Sequence, residues 1–330
     1  MSIAEPERFQ RAAGPPTAGG GLAELEFSAL AATRAAALSS QRWIGRGDPD
    51  AADAAATNAM RAVLSEAPGR GTVVIGEGTK DAAPMLYVGE RLGRGGREFD
   101  IAVDPLECTK LCAKGMPGSL ATIAIAEPGT MATLGPSFYM DKLVAPGAAR
   151  GALDIERGPE DNLRTVARAL GKTVADLRVV VLDKPRHERL IERVHAAGAC
   201  VISPPDGDVA GSLAALLATG EADLLMGIGG TPEGVMTACA ARASGGCMQA
   251  RLAPQREDEA DALAEAGLDG EHVYELDELV KGTSFFAATG VTGGPLLRGP
   301  WVSEGQAYTE SIVIADGSVR RVVEARGVST

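Results

Sequence analysis

The residues of this chain that could do chemistry are acids set close together beside a hydroxyl. In Asp104-Pro105-Leu106-Glu107-Cys108-Thr109 two carboxylates, a thiol and a hydroxyl follow the strand-like run Ile101–Val103. Ligands of open α/β sheets bind at strand ends, and acids at this spacing can share a hard divalent cation through oxygen ligands. A turn in which Asp104 caps a helix reads equally well from the same residues. A second strand-like run, Thr72–Ile75, ends in Gly76-Glu77-Gly78, an acid between glycines that permit close backbone approach. Asp50 and Asp53 stand one helical turn apart, where a pair on a solvated helix face is the commoner arrangement. Several acids at the ends of neighbouring elements suit Mg²⁺, which is held by a few carboxylates, water and substrate phosphate.

Three further segments could complete such a site. Gly227-Ile228-Gly229-Gly230-Thr231-Pro232-Glu233-Gly234 reads as a Gly-rich turn from a strand into a helix, whose free N–H groups attract anions and to which Glu233 could add a metal ligand. The plain alternative is a helix start with Pro and Glu in its first turn. Lys184-Pro185-Arg186-His187 could neutralise a phosphate, and Asp206-Gly207-Asp208 could accept bonds from sugar hydroxyls; solvated loop charges are the competing reading.

The elements that must position these residues alternate. Glu24–Trp43 is rich in Ala and Leu and predicts a helix, ended by Gly45-Arg46-Gly47. Asp48 as N-cap and Pro49 at the first helical position predict a second, running to about Glu66. Strands are expected at Thr72–Ile75, Asp100–Val103, Leu120–Ala126, Arg178–Leu182, Cys200–Ser203, Leu224–Ile228, Ser284–Thr289 and Glu310–Ile314. Helices are expected at Asp161–Ala169, His187–Ala197, Val209–Ala218, Pro232–Ala243 and Pro254–Ala266. Strands separated by helices imply a layered α/β architecture. The breaker-rich residues 1–21 read as a mobile arm, and Gly and Pro near residues 145–165 suggest a division into 22–150 and 151–330.

At 330 residues the chain can bury a substantial core, and 45% apolar with 23% charged residues is ordinary globular composition. Its net charge of −12 disfavours nucleic acid and anionic membranes as partners. With no long apolar run and five cysteines outside any C-x-x-C pair, a cytoplasmic protein with reduced thiols is expected.

Together these segments resemble the class II fructose-1,6-bisphosphatases, including the fructose-1,6/sedoheptulose-1,7-bisphosphatase group, of the lithium-sensitive metal-dependent sugar phosphatase superfamily. The resemblance runs from about Leu22 to Val323 and is most specific at Trp43 to Asp53, Ile75 to Gly78 with Ala83 to Tyr87, Asp104 to Thr109, Tyr139 to Lys142, Lys184 to His187, Asp206 to Ala210 and Gly227 to Gly234. It implies an α-β-α-β-α sandwich, often a homodimer or homotetramer, that removes the 1-phosphate of the sugar bisphosphate with Mg²⁺ or Mn²⁺. Asp53, Glu77, Asp104, Glu107 and Glu233 match the metal ligands. Thr109 matches the hydroxyl that positions or activates water, in a catalytic set with Asp53 and Glu107. Sugar-phosphate contacts fall on Glu107, Cys108, Thr109, Tyr139, Lys184, Pro185, Arg186, Asp206, Gly207, Asp208 and Gly230. Zinc suits this all-oxygen set less well.

The chain also departs from the family pattern. Cys108 replaces Gly, which would be strained if that position needs positive φ. Pro49 replaces Lys, Thr79-Lys80-Asp81-Ala82 replaces Glu-x-Asp-Glu, Thr231 replaces Ala, and an acid usual near Gly282 is absent. Two rivals therefore stand beside the bisphosphatase reading: a divergent paralogue acting on another sugar or cyclitol phosphate, and a non-catalytic sugar-phosphate-binding regulatory protein. A thiol among carboxylates has a raised pKa, which argues against Cys108 and Cys112 as a redox sensor.

Overall fold

A computed structural model of the chain describes residues 22–78, 85–217 and 220–327. The expected arm at 1–21, the departures at Thr79–Ala82, the Ala83-Pro84 part of the resemblance and the last residue of the helix expected at Val209–Ala218 lie outside them. The Ala-rich stretch forms α1 (Glu26–Ser40), flanked by 3-10 turns at Leu22–Leu25 and Gln41–Trp43. Next comes α2 (Pro49–Leu64), with Pro49 at its first position and Asp48 Oδ1 accepting a bond from the Ala51 N–H at 3.0 Å. Ala29, Ala32, Ala36 and Ala37 of α1 are buried in one apolar cluster with Ala52, Ala56 and Met60 of α2. Side chains this small let the two helices approach closely.

The strands are β1 (Gly69–Ile75), β2 (Arg91–Gly95), β3 (Glu98–Glu107), β4 (Leu120–Ala126), β5 (Tyr139–Ala145), β6 (Arg178–Val180), β7 (Cys200–Ile202), β8 (Leu224–Gly230), β9 (Cys247–Leu252), β10 (Val273–Glu275), β11 (Ser284–Gly290), β12 (Trp301–Ser303), β13 (Gln306–Ala315) and β14 (Ser318–Gly327). The remaining helices are α3 (Thr109–Lys114), α4 (Pro159–Ala169), α5 (Glu188–Ala196), α6 (Asp208–Leu216), α7 (Thr231–Ser244), α8 (Glu257–Glu265) and α9 (Leu276–Leu279). One sheet runs β12-β13-β11-β4-β3-β1-β2, with β14 also pairing β13; the other runs β10-β9-β5-β8-β6-β7. Both are mixed: β1 lies parallel to β3 but β3 antiparallel to β4, and β6 lies parallel to β8 but β5 antiparallel to β8.

Period-two alternation sorts the side chains into layers. Ile101, Val103, Ile123 and Ile125 face α1 and α2, while Ala102, Ala124 and Ala126 face the opposite way, into a second cluster with α6 and α7. That second cluster also takes in Met140, Val144 and Leu225 of the other sheet, whose far face packs Leu143, Val179, Leu224 and Met226 against α4 and α5. The order is helices, sheet, helices, sheet, helices, the layered sandwich expected. All seven residues of β4 are buried, as befits a strand covered on both faces. Among the described residues no helix is long and apolar enough to cross a membrane.

Two expectations need correction. Asp104 to Glu107 do not leave the end of a strand; β3 continues through them. The glycines at 227–230 are not a turn, because β8 runs to Gly230 and α7 starts at the next residue.

Candidate active site

The first acids come together through an irregularity in β3. In a regular strand, positions 104 and 107 have opposite parity and face opposite sides of the sheet. Here Asp104 pairs with Thr122 and Glu107 with Leu120, so β3 uses one more residue than β4 between these points. Such a bulge reverses the parity, and Pro105, which has no N–H to lose, lies within it. Both acids therefore reach one site, joined by a side-chain hydrogen bond. The Leu106 N–H donates to Asp104 Oδ1 at 3.0 Å, and Thr109 Oγ1 donates to the Leu106 carbonyl at 2.9 Å.

Between them and α3 stands Cys108 at φ 62°, ψ 46°, the left-handed region that L side chains adopt at a cost. The position is thus one that favours glycine, and this chain places a thiol there. Sγ lies 3.7 Å from Glu107 Oε1, and burial with the surrounding carboxylates raises its pKa far above the ordinary thiol value. The reactive thiolate form is disfavoured there.

β1 delivers Glu77 just beyond its end, and Asp53 reaches it from α2: the two carboxyls share a hydrogen bond. Glu77 is pinned from behind by its N–H, which donates to the Leu86 carbonyl at 3.0 Å. Leu86 is itself buried at φ 53°, held there by Glu90, whose carboxylate accepts from the Leu86 N–H and from Arg61 Nε at 2.7 Å. A side chain at Gly76 would meet the Leu86 carbonyl oxygen at 2.0 Å, so this glycine is demanded by close backbone approach.

The other sheet supplies the opposite wall. Glu233 stands in the first turn of α7, and one carboxylate oxygen each of Asp104, Glu107 and Glu233 lie within 4.8 Å of one another. Asp208 opens α6 and is ion-paired with Lys142 of β5. Gly229 and Gly230 are glycines for a different reason than anion binding: a Cβ at Gly229 would fall 1.9 Å from Asp208 Oδ2, and one at Gly230 would fall 1.7 Å from Glu233 Oε2. The first N–H of α7, on Thr231, is donated to the Phe138 carbonyl at 3.0 Å. The Thr231 hydroxyl, where the family pattern has Ala, is absorbed by Ser137 Oγ at 2.8 Å. At Gly282, where an acid is absent, a Cβ would strike Glu127 Oε2 at 2.4 Å.

Burial dominates the electrostatics. It pushes Glu77 up to about 8, helped by Asp53 and Asp104, and Glu233 up to about 7, helped by Asp208 and Asp104 but opposed by Lys142. Asp104 rises to about 6, Asp53 is raised, and Glu107, buried among Asp104, Asp208 and Glu233, is raised well above the ordinary carboxylate range. Too little positive charge lies near these acids to offset their burial. Glu233 Oε2 is buried with no hydrogen-bond partner. A set of buried oxygens short of positive charge, one of them unpartnered, fits hard divalent cations, and Asp53, Glu77, Asp104, Glu107 and Glu233 are the residues that would hold them.

Beside the acids, Lys184 Nζ lies 3.6 Å from Asp206 Oδ1, and Arg186 donates to the Ile228 carbonyl at 2.9 Å with its guanidinium 5.2 Å from the Tyr139 ring centroid. Pro185 starts the 3-10 turn between them. Gly207, at φ 96°, turns the chain into α6, and a Cβ there would sit 3.3 Å from Cys108 Sγ, so the two halves of the site meet at this contact. His187 is fully engaged: Nδ1 bonds the Leu182 carbonyl at 2.8 Å and Nε2 accepts the Ile228 N–H at 2.8 Å. With both nitrogens used in the neutral ring it is a structural staple, not a ligand. Sequence reasoning missed Lys142 as a site residue. The available signal was a lysine at the apolar parity of Met140 and Val144.

Comparison with known proteins gives the family. The profile of the family described as "Bacterial fructose-1,6-bisphosphatase, glpX-encoded" matches residues 23–326. The chain is 44% identical over 305 residues to fructose-1,6-bisphosphatase class 2 of Haemophilus influenzae, covering 88% of this chain and 91% of that protein. It is 42% identical over 311 residues to D-fructose 1,6-bisphosphatase class 2/sedoheptulose 1,7-bisphosphatase of Thermosynechococcus vestitus, covering 86% and 89%. Fructose-1,6-bisphosphatase 1 class 2 of Escherichia coli K12 is 41% identical over 315 residues, covering 90% and 93%. The chain therefore belongs to the bacterial glpX-encoded, class 2 fructose-1,6-bisphosphatase family.

Proposed function

We propose that this protein removes the 1-phosphate of fructose 1,6-bisphosphate, and the corresponding phosphate of sedoheptulose 1,7-bisphosphate, with Mg²⁺ or Mn²⁺. The observation that carries the reading is the oxygen cluster of Asp104, Glu107 and Glu233, with Asp53 and Glu77 adjoining it. Cations bound there would neutralise the phosphoryl oxygens, lower the pKa of an attacking water and stabilise the leaving alkoxide. Thr109 spends its hydroxyl proton on the Leu106 carbonyl, so its oxygen is left to accept from water: it orients the nucleophile rather than protonating anything. Lys184 and Arg186 neutralise the distal phosphate, Arg186 being held in place by Tyr139 and the Ile228 carbonyl. Asp206 and Asp208 accept sugar hydroxyls, with Gly207 and Gly230 beside them in the sugar-phosphate site.

A second reading, a paralogue acting on another sugar or cyclitol phosphate, is favoured by one observation: the Cys108 thiol narrows the contact with Gly207 where the family pattern has no side chain. The test is phosphate release by metal-free protein supplied with Mg²⁺, Mn²⁺ or no metal, with Glu107→Gln as control. Metal-dependent release that the control loses supports the proposal. Release only from other phosphomonoesters selects the paralogue, and binding without turnover on any of them overturns both. We also propose a cytoplasmic homodimer or homotetramer. Five free thiols support the compartment, exposed Phe27 and Val302 support self-association, and light scattering tests the mass.

A further inference from the structure

Among the described residues Lys142 is the only buried lysine, 1% exposed, and the proposed chemistry gives it no task. It points from β5 into the helical layer between the sheets, flanked on the same strand face by Met140 and Val144. Nζ is bonded to Asp208 Oδ2 and, at 2.9 Å, to the Gly230 carbonyl. The absence of a side chain at Gly229 makes this possible, since a Cβ there would lie 2.9 Å from Nζ and 1.9 Å from Asp208 Oδ2. One ammonium thus ties the start of α6 to the end of β8, behind two residues placed on the sugar phosphate.

We infer that Lys142 is a positioning residue that aims the Asp208 carboxylate at the sugar. The inference rests on the sugar-phosphate reading of the site. A buried ammonium has its direction set by the packing around its stem, and Asp208 inherits that direction through the ion pair. Without it, the carboxylate would be free to rotate and would repel Glu233. Lys142 makes no hydrogen bond, among those described, to any of the five proposed metal-holding acids and acts on Glu233 only through its charge, so its loss should weigh more on sugar binding than on metal loading.

The experiment measures binding of fructose 6-phosphate and of Mn²⁺ by calorimetry, neither of which requires turnover, together with KM and kcat for the bisphosphate. For Lys142→Met, sugar-phosphate affinity is expected to fall about 10–100-fold with a matching rise in KM, while Mn²⁺ affinity stays within about threefold, a 0.65 kcal/mol change. Because an unpaired buried Asp208 can prevent folding, Asp208→Asn and the double variant Lys142→Met/Asp208→Asn accompany it. If Lys142 acts through Asp208, these two bind fructose 6-phosphate equally. Sugar affinity unchanged in Lys142→Met, equal loss of sugar and Mn²⁺ binding, or a further tenfold loss in the double variant each overturns the inference. Absence of turnover by the unmodified protein would instead count against the phosphatase reading, and the binding comparison would still decide the role of Lys142.

Discussion

Replacing Gly230 by Ala displaces one acid without straining the backbone. Gly230 has φ −67° and ψ 142°, a conformation any residue adopts, so alanine brings no backbone strain. Its Cβ would fall 1.7 Å from Glu233 Oε2, and the carboxylate must retreat by about 1.7 Å to reach ordinary contact at 3.4 Å. The clashing atom is the tip of a flexible side chain, so the fold can yield. Stability should therefore change little, with the loss of glycine flexibility in the unfolded chain contributing about 0.4–1 kcal/mol in favour of folding. The metal-holding set cannot yield in the same way, because a displacement of about 1 Å in such a constellation costs roughly 100-fold in rate, or about 2.7 kcal/mol. The assay is metal-dependent phosphate release together with Mn²⁺ calorimetry and a thermal melt. Gly270→Ala, where no atom lies within 4 Å and φ is ordinary, is the silent control. A Gly230→Ala protein that melts like the unmodified chain, binds Mn²⁺ equally and retains its rate within about threefold would refute the assignment of Glu233 to the metal.

Other expectations follow from the same geometry. Cys108→Gly removes a Cβ from the left-handed region, a gain of about 1–2 kcal/mol, offset by about 0.4–1 kcal/mol of unfolded-chain flexibility. Its melting point should stay level or rise while kcat/KM rises, and a lower rate would show that the thiol assists. Metal-free protein should lose stability as pH climbs from about 4.5, the ordinary glutamate value, through the folded values of Glu233, about 7, and Glu77, about 8. In that window the native state binds more protons than the unfolded chain, so the slope of stability against pH is negative. Mn²⁺ should abolish the loss; melts at pH 5.5 and 8 that coincide without metal would contradict the charge-starved cluster. His187→Ala leaves the Leu182 carbonyl and the Ile228 N–H unpaired and should destabilise the fold by about 2–4 kcal/mol, read by urea denaturation. Because burial lowers the His187 pKa, its contribution in the unmodified chain is present at neutral pH and fades on acidification below the ordinary value of 6.5.

Much of this architecture is written locally. Asp48 and Pro49 announce the start of α2 because capping needs only the residues at hand, and Leu120–Ala126 announces a strand buried on both faces because every side chain is apolar or small. The acids of the candidate site were legible one by one, Asp53 within a predicted helix and the others beside the ends of predicted elements, and the resemblance of the whole series named the family. Strands such as β5 and β9 were not legible, since Tyr139-Met140-Asp141-Lys142 mixes charge with apolar residues and is a strand only because β8 and β9 flank it.

What the sequence determined by itself is the set of groups: which acids, cations and glycines exist, and the short-range rules that place them in helices or strands. What the tertiary structure decided is which of them face one another. Asp104 and Glu107 share a site through a bulge that exists only in the pairing of β3 with β4. Gly229 and Gly230 owe their identity to carboxylates from α6 and α7, and Lys142 and His187 owe theirs to partners on other elements. Each of these depends on contacts distant along the chain, and strand parity, close approach and burial of charge acquire their sign only when the layers have packed.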